Sequence, residues 1–282
     1  MERTPFTVPT PVGHLGGWRA GAGAPVLLLH GGPGLSYGHL DSLAEELAAA
    51  YDVAFFQQRG LEPSTTEGPF TVAQAVADIG SVLDGLGWER AWLVGHSWGG
   101  HLAFHAAESM PERLLGVLSI DPLGAVGDGG AGDFNGTIAE RALPSDRERL
   151  RELNEMDDAE ATPEVYDEMM RLAWASYFAS RANVPPMPPM QVSLPASAGL
   201  FADLADQLPS LEAGLAAIRV PVAILVGEGS PMPPETAGLA TAAAIPGAWA
   251  HVERGAGHFV WLERPGCALA ALDRLAQGTP GT

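Results

Sequence analysis

The chain has 282 residues, 46% of them hydrophobic, and carries 15 basic against 34 acidic side chains, a formal net charge of −19. This length predicts one sizeable core, in one domain with an insertion rather than in two domains. So acidic a surface repels phosphate backbones and anionic lipids, which argues against nucleic-acid and membrane partners. The single cysteine, Cys267, excludes an internal disulfide and a multi-cysteine metal site. The N-terminal segment lacks an apolar signal-like stretch, and no apolar run approaches about 18 residues, which predicts a soluble, cytoplasmic protein.

Short apolar runs alternate with helical patterns along most of the chain. The predicted strands are 26–29, 53–56, 91–94, one that closes with 118–120, 222–226 and 248–252. The predicted helices are 40–50, 72–86, 99–109, 236–244 and 266–276. Two early segments, 6–8 and 15–19, favour an antiparallel edge. Alternation of this kind builds an α/β fold, a mostly parallel sheet with helices on both faces.

The alternation stops in the middle of the chain. Here the sequence becomes acidic and helical, over 146–156 and 163–179, and then proline-rich over 184–189. We interpret this part as a helical lid inserted between two strands of the sheet. The predicted domains are an α/β core over 1–122 and 215–282, and a helical lid over 123–214.

A serine motif follows the third predicted strand. Gly95-His96-Ser97-Trp98-Gly99 fits Gly-x-Ser-x-Gly and lies between strand 91–94 and helix 99–109. A sharp strand-to-helix turn holds a serine hydroxyl above the sheet edge, and glycines beside it let the backbone pack closely. Ser97 is therefore the candidate nucleophile. The alternative is an ordinary capping serine at a glycine-rich helix start.

A glycine-rich loop, His30-Gly31-Gly32-Pro33-Gly34, follows the first predicted strand. Its backbone can turn N–H groups toward a developing oxyanion. We expect the donors to be the N–H groups of Gly32 and Trp98, each typically worth about 3 kcal/mol in the transition state. His30 is predicted to anchor the loop rather than to take part in catalysis. The alternative is a plain glycine–proline turn that leaves a strand.

The general base is expected late in the chain, because folds with this serine turn order their triad as serine, acid, histidine. Of the eight histidines, only His251 and His258 follow the predicted lid. His251 lies inside strand 248–252, where the pleat fixes its side chain. His258 lies in a glycine-rich loop just beyond that strand, from which it can reach the serine. His258 is therefore the predicted base.

The acid is harder to assign. It usually follows the strand 222–226, but Ser230 stands where an aspartate is expected, and a serine cannot stabilise an imidazolium as a carboxylate does. Asp121 follows the strand 118–120, whose end opens at the same sheet edge. Glu228 lies in the usual loop, two residues earlier than the expected position. We favour Asp121 as the acid, with Glu228 as the alternative.

These motifs closely resemble those of prolyl iminopeptidases and related α/β-hydrolases. The segments that carry the resemblance are His30-Gly31-Gly32-Pro33-Gly34, Gln58-Arg59-Gly60, Gly95-His96-Ser97-Trp98-Gly99-Gly100 and Gly257-His258-Phe259. The resemblance covers about residues 1–122 and 215–275. It implies an α/β-hydrolase fold and hydrolysis of a small ester or amide through an acyl-enzyme, without a metal or an organic cofactor. The family pattern often reads Asp-Gln-Arg-Gly where this chain has Gln57-Gln58-Arg59-Gly60.

Three functions remain open at this point. The resemblance favours a prolyl-iminopeptidase-like hydrolase of short peptides. The alternatives are an esterase or lactonase for small apolar acyl groups and a non-catalytic ligand-binding homologue. The last is disfavoured by the intact Ser97, His258 and glycine-rich loop, and is favoured only by the absence of the usual acid. The oligomeric state is not predicted.

The predicted lid supplies the candidates for substrate selection. Trp174, Tyr177 and Phe178 have helical spacing and are expected to line an apolar pocket. Family peptidases bind the free amine of their substrate through acidic residues near the lid. The candidate amine anchors in this chain are Glu155, Asp157, Asp158, Asp167 and Glu168.

Overall fold

A computed structural model describes residues 2–156 and 160–278 of the chain, centred on an eight-stranded sheet. The strands are β1 (Thr4–Pro9), β2 (His14–Gly21), β3 (Pro25–Leu29), β4 (Asp52–Phe56), β5 (Ala91–His96), β6 (Leu114–Ile120), β7 (Val222–Gly227) and β8 (Trp249–Glu253). Their order across the sheet is β1-β2-β4-β3-β5-β6-β7-β8. β1 and β2 pair antiparallel, as do β2 and β4, whereas every neighbouring pair from β4 to β8 is parallel.

Helices cover both faces of this sheet. The α-helices in the described ranges are α1 (Asp41–Leu47), α2 (Val72–Gly85), α3 (Trp98–Ser109), α4 (Ala131–Arg141), α5 (Arg147–Asn154), α6 (Pro163–Ala173), α7 (Leu194–Gly214), α8 (Ala240–Ala244), α9 (Val260–Glu263) and α10 (Cys267–Ala276). Side chains alternate between the two faces of a strand. Leu27 and Leu29 of β3 therefore join one buried cluster with α2 and α3, and Leu28 joins another with α1 and α10. None of these helices is long and apolar enough to cross a membrane.

The predicted alternation of strands and helices is confirmed, and so is the antiparallel edge, which is formed by β1 and β2. β6 begins at Leu114 and ends at Ile120, where the sequence predicts that the fourth strand closes. The helix predicted over 236–244 is divided into a π-helical turn, Glu235–Leu239, and α8. The carboxyl ends of the parallel strands meet at one edge, which is where loops of this architecture bring functional side chains together.

In the part of this stretch that the structure describes, four α-helices, α4 to α7, lie between β6 and β7, and we call residues 123–156 and 160–214 the helical insertion. α5 corresponds to the helix predicted over 146–156, whereas α4 and α7 had no predicted counterpart. The helix predicted over 163–179 is shorter than expected. α6 ends at Ala173, a 3-10 turn follows over Trp174–Tyr177, and Phe178 is extended with φ −102° and ψ 148°.

Candidate active site

Ser97 forms the turn between β5 and α3. Its φ of 54° and ψ of −118° lie in a region that residues other than glycine rarely adopt. The Ser97 N–H donates to the Ile120 carbonyl at 2.9 Å, and the Ser97 carbonyl accepts from the His101 N–H at 3.0 Å. The strained turn is thus held by β6 on one side and by α3 on the other, and its half-buried side chain lines a cavity.

The two glycines of the serine motif allow this turn to pack against β3. A Cβ at Gly95 would lie 2.1 Å from the Gly99 carbonyl oxygen, and a Cβ at Gly99 would lie 2.3 Å from the Leu29 carbonyl oxygen. Both distances are far below van der Waals contact. The pattern Gly-x-Ser-x-Gly is therefore required here by backbone packing.

Asp121 and His258 meet beyond the ends of β6 and β8. Asp121 Oδ2 lies 2.5 Å from His258 Nδ1, and the two side chains are almost fully buried. Asp121 has φ +44°, and its Oδ1 accepts from the Gly227 N–H at 2.9 Å. A carboxylate at Nδ1 fixes the tautomer that carries its proton there and leaves a lone pair on Nε2. His258 lines the same cavity as Ser97.

Ser230, at the position where an acid was expected, binds Asp121. Its hydroxyl donates to Asp121 Oδ2 at 2.5 Å, and its Oγ accepts from the Met232 N–H at 3.0 Å. The carboxylate therefore receives hydrogen bonds from a backbone amide, a hydroxyl and an imidazole. This role of Ser230 was not predicted, because sequence position alone does not show that β6 and β7 are neighbours.

The two alternative residues face elsewhere. Glu228 is exposed, and its carboxylate accepts from the Gly255 N–H at 3.1 Å. His251 lies in β8, exposed, with its Nε2 3.3 Å from a Glu253 carboxylate oxygen. The structure thus places Asp121, not Glu228, beside His258.

The loop that carries His258 is attached to the helical insertion. The His258 N–H donates to the Tyr177 carbonyl at 2.7 Å. Glu263 Oε2 accepts from the Gly257 N–H at 2.6 Å and from the Ala179 N–H at 3.2 Å. A Cβ at Gly257 would lie 2.3 Å from the Tyr177 carbonyl oxygen, so this contact requires glycine. The position of the candidate base therefore depends on the insertion.

Gln58 connects the two loops that hold the expected oxyanion donors. The Gln58 backbone N–H donates to His30 Nε2 at 3.0 Å, which leaves Nδ1–H to donate to the Gly31 carbonyl at 3.0 Å. The Gln58 side chain donates to the His30 carbonyl and accepts from Trp98 Nε1, both at 2.9 Å. Burial lowers the pKa of His30 to about 3, so this histidine is neutral. Gly32 has φ +64° and lines the cavity with Trp98.

The cavity above Ser97 has a volume of about 490 Å³, within the range of about 300–1,000 Å³ typical of ligand sites. Much of its wall is apolar and comes from the helical insertion. Members of this wall are Phe134, Tyr177, Met190, Phe201, Leu204 and Leu208.

The expected pocket residues divide into two groups. Tyr177 lines the cavity, whereas Trp174 and Phe178 pack behind it, with ring centroids 4.9 Å and 5.7 Å from that of Phe259. This corrects the expectation for Trp174 and Phe178. The physical reason is that α6 ends at Ala173, so helical spacing no longer applies to the residues that follow.

Those of the expected amine anchors that lie within the described residues do not line this cavity. The candidates are Glu155, Asp157, Asp158, Asp167 and Glu168, of which Asp157 and Asp158 lie outside the described residues. Asp167 pairs with Arg171 at 2.9 Å. Glu168 pairs with Arg149 at 2.9 Å. Arginine partners on the insertion surface therefore already occupy these two carboxylates.

Asp128 is the one carboxylate among the described residues that line the cavity, and the sequence did not single it out. It is exposed, and its two oxygens accept from the N–H groups of Gly130 at 2.9 Å and Gly132 at 3.1 Å. These two hydrogen bonds lower the pKa of Asp128. The charged group thus stabilises the first turn of α4 at the edge of the cavity.

Sequence comparison finds relatives with different activities. The chain is 35% identical to epoxide hydrolase B of Mycobacterium tuberculosis over 35% of its own length and 28% of that protein. It is 36% identical to proline iminopeptidase of Lactobacillus delbrueckii subsp. bulgaricus over 34% of its own length and 35% of that protein. The matches thus span about a third of each curated relative.

Structural comparison extends over nearly the whole chain. VinJ superposes with a TM-score of 0.74 at 22% identity, over 97% of this chain and 98% of that one. Carboxylesterase CesB from Bacillus subtilis superposes with a TM-score of 0.70 at 21% identity, over 99% of this chain and 93% of that one. At such identities the likeness shows the fold, and it confirms the predicted α/β-hydrolase architecture.

The family model described as "Alpha/beta hydrolase family" matches residues 26–272. This range holds the serine turn after β5, the aspartate after β6 and the histidine after β8, in the chain order of the family. The chain therefore belongs to the alpha/beta hydrolase family.

Proposed function

We propose that this chain is a serine hydrolase that cleaves a carboxylic ester through an acyl-enzyme, with Ser97 as nucleophile, His258 as base and Asp121 as acid. The observation that carries the proposal is the contact of 2.5 Å between Asp121 Oδ2 and His258 Nδ1, in a cavity that Ser97 also lines. The strained turn at Ser97 supports the same assignment, since a nucleophile must stand clear of the sheet.

In the first half-reaction, Ser97 Oγ attacks the ester carbonyl carbon while His258 Nε2 accepts the hydroxyl proton. Asp121 stabilises the imidazolium that forms. The N–H groups of Gly32 and Trp98 are the proposed donors to the oxyanion. His258 then protonates the departing alkoxide as its bond to the carbonyl carbon breaks, which releases an alcohol and leaves the acyl group on Ser97.

In the second half-reaction, water attacks the acyl carbonyl carbon and His258 Nε2 accepts its proton. The bond from the carbonyl carbon to Ser97 Oγ breaks, and His258 returns the proton to that oxygen. The products are a carboxylic acid and the original hydroxyl. The enzyme thus ends each cycle in its starting protonation state.

The composition of the cavity favours an ester over a peptide with a free amine. A bound ammonium group needs an available carboxylate, since a buried unpaired charge is costly. Asp128 is the one carboxylate among the described lining residues, and two backbone amides already bind it. The apolar wall instead suits an uncharged acyl group.

Fluorophosphonate labelling tests the proposed nucleophile. A reactive Ser97 Oγ forms a covalent adduct, which intact-mass spectrometry detects as one added phosphonyl group. Ser97→Ala should remain unlabelled at an unchanged melting temperature, while Ser109→Ala, which changes a serine at the other end of α3, should label like the wild type. Equal labelling of Ser97→Ala and the wild type would refute the assignment.

An aminopeptidase is the second candidate. The partial match to proline iminopeptidase and the position of Asp128 on the cavity wall favour it. If Asp128 anchors an amine, the wild type will hydrolyse prolyl arylamides and Asp128→Asn will lose that activity but keep hydrolysis of p-nitrophenyl esters. Ester hydrolysis without arylamide hydrolysis would select the esterase.

A further inference from the structure

One face of α7 forms a continuous apolar wall of the cavity. Phe201, Leu204, Ala205 and Leu208 all line it, at the positions i, i+3, i+4 and i+7 that share one helix face. Leu204 and Leu208 are buried, at 7% and 8% exposure, whereas Phe201 is 53% exposed and Ala205 is also exposed. The wall therefore has an inner row of buried residues, Leu204 and Leu208, and an outer row of exposed residues, Phe201 and Ala205.

The outer row marks the mouth of the cavity. The exposed residues that line the cavity are Phe201 and Ala205 on α7, Asp128 in the loop before α4, and Asn135 in the second turn of α4. Tyr177, on the same wall, accepts from the His258 N–H and so holds the loop that carries the proposed base. The exposed part of the lining thus has an apolar side on α7, the apolar lip, and a polar side formed by Asp128 and Asn135, the polar lip.

The exposure of Phe201 needs an explanation. It is one of three large apolar side chains that stand exposed in the described ranges, and the other two, Val12 and Leu143, do not line the cavity. An apolar ligand that passes over Phe201 would remove this surface from water. Burial of apolar surface is the main favourable term in such binding.

We propose that the α7 wall binds the acyl chain of the substrate, so that the enzyme prefers esters of medium-chain carboxylic acids over acetates, and that Ala205 sets the width of the channel. This inference rests on the proposed function. The acyl group, unlike the alcohol, stays on Ser97 through both half-reactions, so the wall beside Ser97 is assigned to it. The alcohol leaves past the polar lip.

The test uses p-nitrophenyl esters of acetate, butyrate, hexanoate and octanoate, which vary the acyl chain and keep the leaving group constant. Each methylene removed from water is worth up to about fourfold in binding. We expect kcat/KM to rise at least tenfold from acetate to octanoate. In Ala205→Trp, kcat/KM for octanoate should fall at least fivefold more than kcat/KM for acetate.

Ala202→Trp is the matched control, because Ala202 is an exposed alanine of the same helix that does not line the cavity. It should keep the wild-type ratio of octanoate to acetate activity. Phe201→Ala, which removes part of the wall without adding bulk, should lower that ratio about threefold and provides a second test if Ala205→Trp does not fold. Melting temperatures monitor the fold.

The outcomes separate the two proposals. Absence of hydrolysis of every ester, together with absence of fluorophosphonate labelling at Ser97, would refute the serine hydrolase and with it the α7 wall. Ester hydrolysis that depends on Ser97 but not on acyl length would refute the wall alone. An equal change of the ratio in Ala202→Trp and Ala205→Trp would also refute it.

Discussion

Ser230 Oγ lies 2.5 Å from Asp121 Oδ2, the same oxygen that contacts His258 Nδ1. The two residues follow neighbouring strands, β6 and β7. Because Ser230 Oγ accepts from the Met232 N–H, its own proton is directed to the carboxylate. Asp121 is therefore oriented by a hydroxyl from the loop in which the acid of this family usually lies. We propose that Ser230 is a positioning residue for the acid.

Ser230→Ala should lower kcat about tenfold with little change in KM. A hydrogen bond to a charged group contributes about 1.5–3 kcal/mol, and tenfold corresponds to about 1.4 kcal/mol. Steady-state kinetics on an active ester measures the effect. Ser230→Thr, which keeps the hydroxyl, should retain most of the activity. A wild-type kcat in Ser230→Ala would show that the hydroxyl does not position Asp121.

The closeness of position 230 to Asp121 Oδ2 predicts that the acid can be moved. Asp121→Asn removes the carboxylate from the loop after β6, and Ser230→Asp restores one in the loop after β7. The kcat of the double variant Asp121→Asn/Ser230→Asp should be at least tenfold higher than that of Asp121→Asn. Asp121→Asn/Ser230→Asn is the control of equal size without the charge. If the two double variants are equally slow, a carboxylate at position 230 does not reach His258.

We expect the protein to lose stability in mild acid, because several of its histidines are buried in the neutral form. Desolvation lowers the pKa of His30 and His105 to about 3 and that of His39 and His101 to about 4, from an ordinary value of 6.5. The unfolded chain therefore binds more protons than the folded one below pH 6.5. Stability is complete above that pH and is lost as pH falls from 6.5 toward 3–4. Each additional proton that the unfolded chain binds makes the free energy of unfolding fall by about 1.4 kcal/mol per pH unit.

Urea unfolding between pH 7.5 and 4.5 measures this slope. His105→Gln removes one buried titrating group and should make the dependence less steep, although it also lowers stability at neutral pH. A free energy of unfolding that stays constant down to pH 4.5 would contradict the assignment of neutral, buried histidines.

The fold was predictable because short apolar runs alternate along the chain with segments of helical periodicity. Short apolar runs such as residues 26–29 and 91–94, followed by glycine-rich turns, are typical of the central strands of a parallel sheet. The Ser97 turn and the late His258 were predictable for the same reason, since each follows such a strand. The expected acid, Asp121, could be proposed because the chain has a serine at position 230 and an aspartate after β6.

The helical insertion was less predictable. α4 contains Gly132 and Gly136, and α7 contains Pro209 in its interior, which are residues that weaken helix propensity. Tertiary packing of an apolar face stabilises these helices instead. The roles of Gln58 and Ser230 depend on which loops become neighbours, and neither residue carries a local signal of its contact.

The most direct measurement compares kcat for Asp121→Asn and Glu228→Gln on a p-nitrophenyl ester, with melting temperatures to monitor the fold. Replacement of a triad aspartate by asparagine typically lowers turnover by about 10⁴-fold, because the histidine takes the wrong tautomer and its imidazolium loses the stabilising charge. Asp121→Asn should show a loss of that order, and Glu228→Gln should stay near the wild type, since Glu228 is exposed and binds the Gly255 N–H. A wild-type kcat in Asp121→Asn, or a large loss in Glu228→Gln alone, would contradict the proposed site.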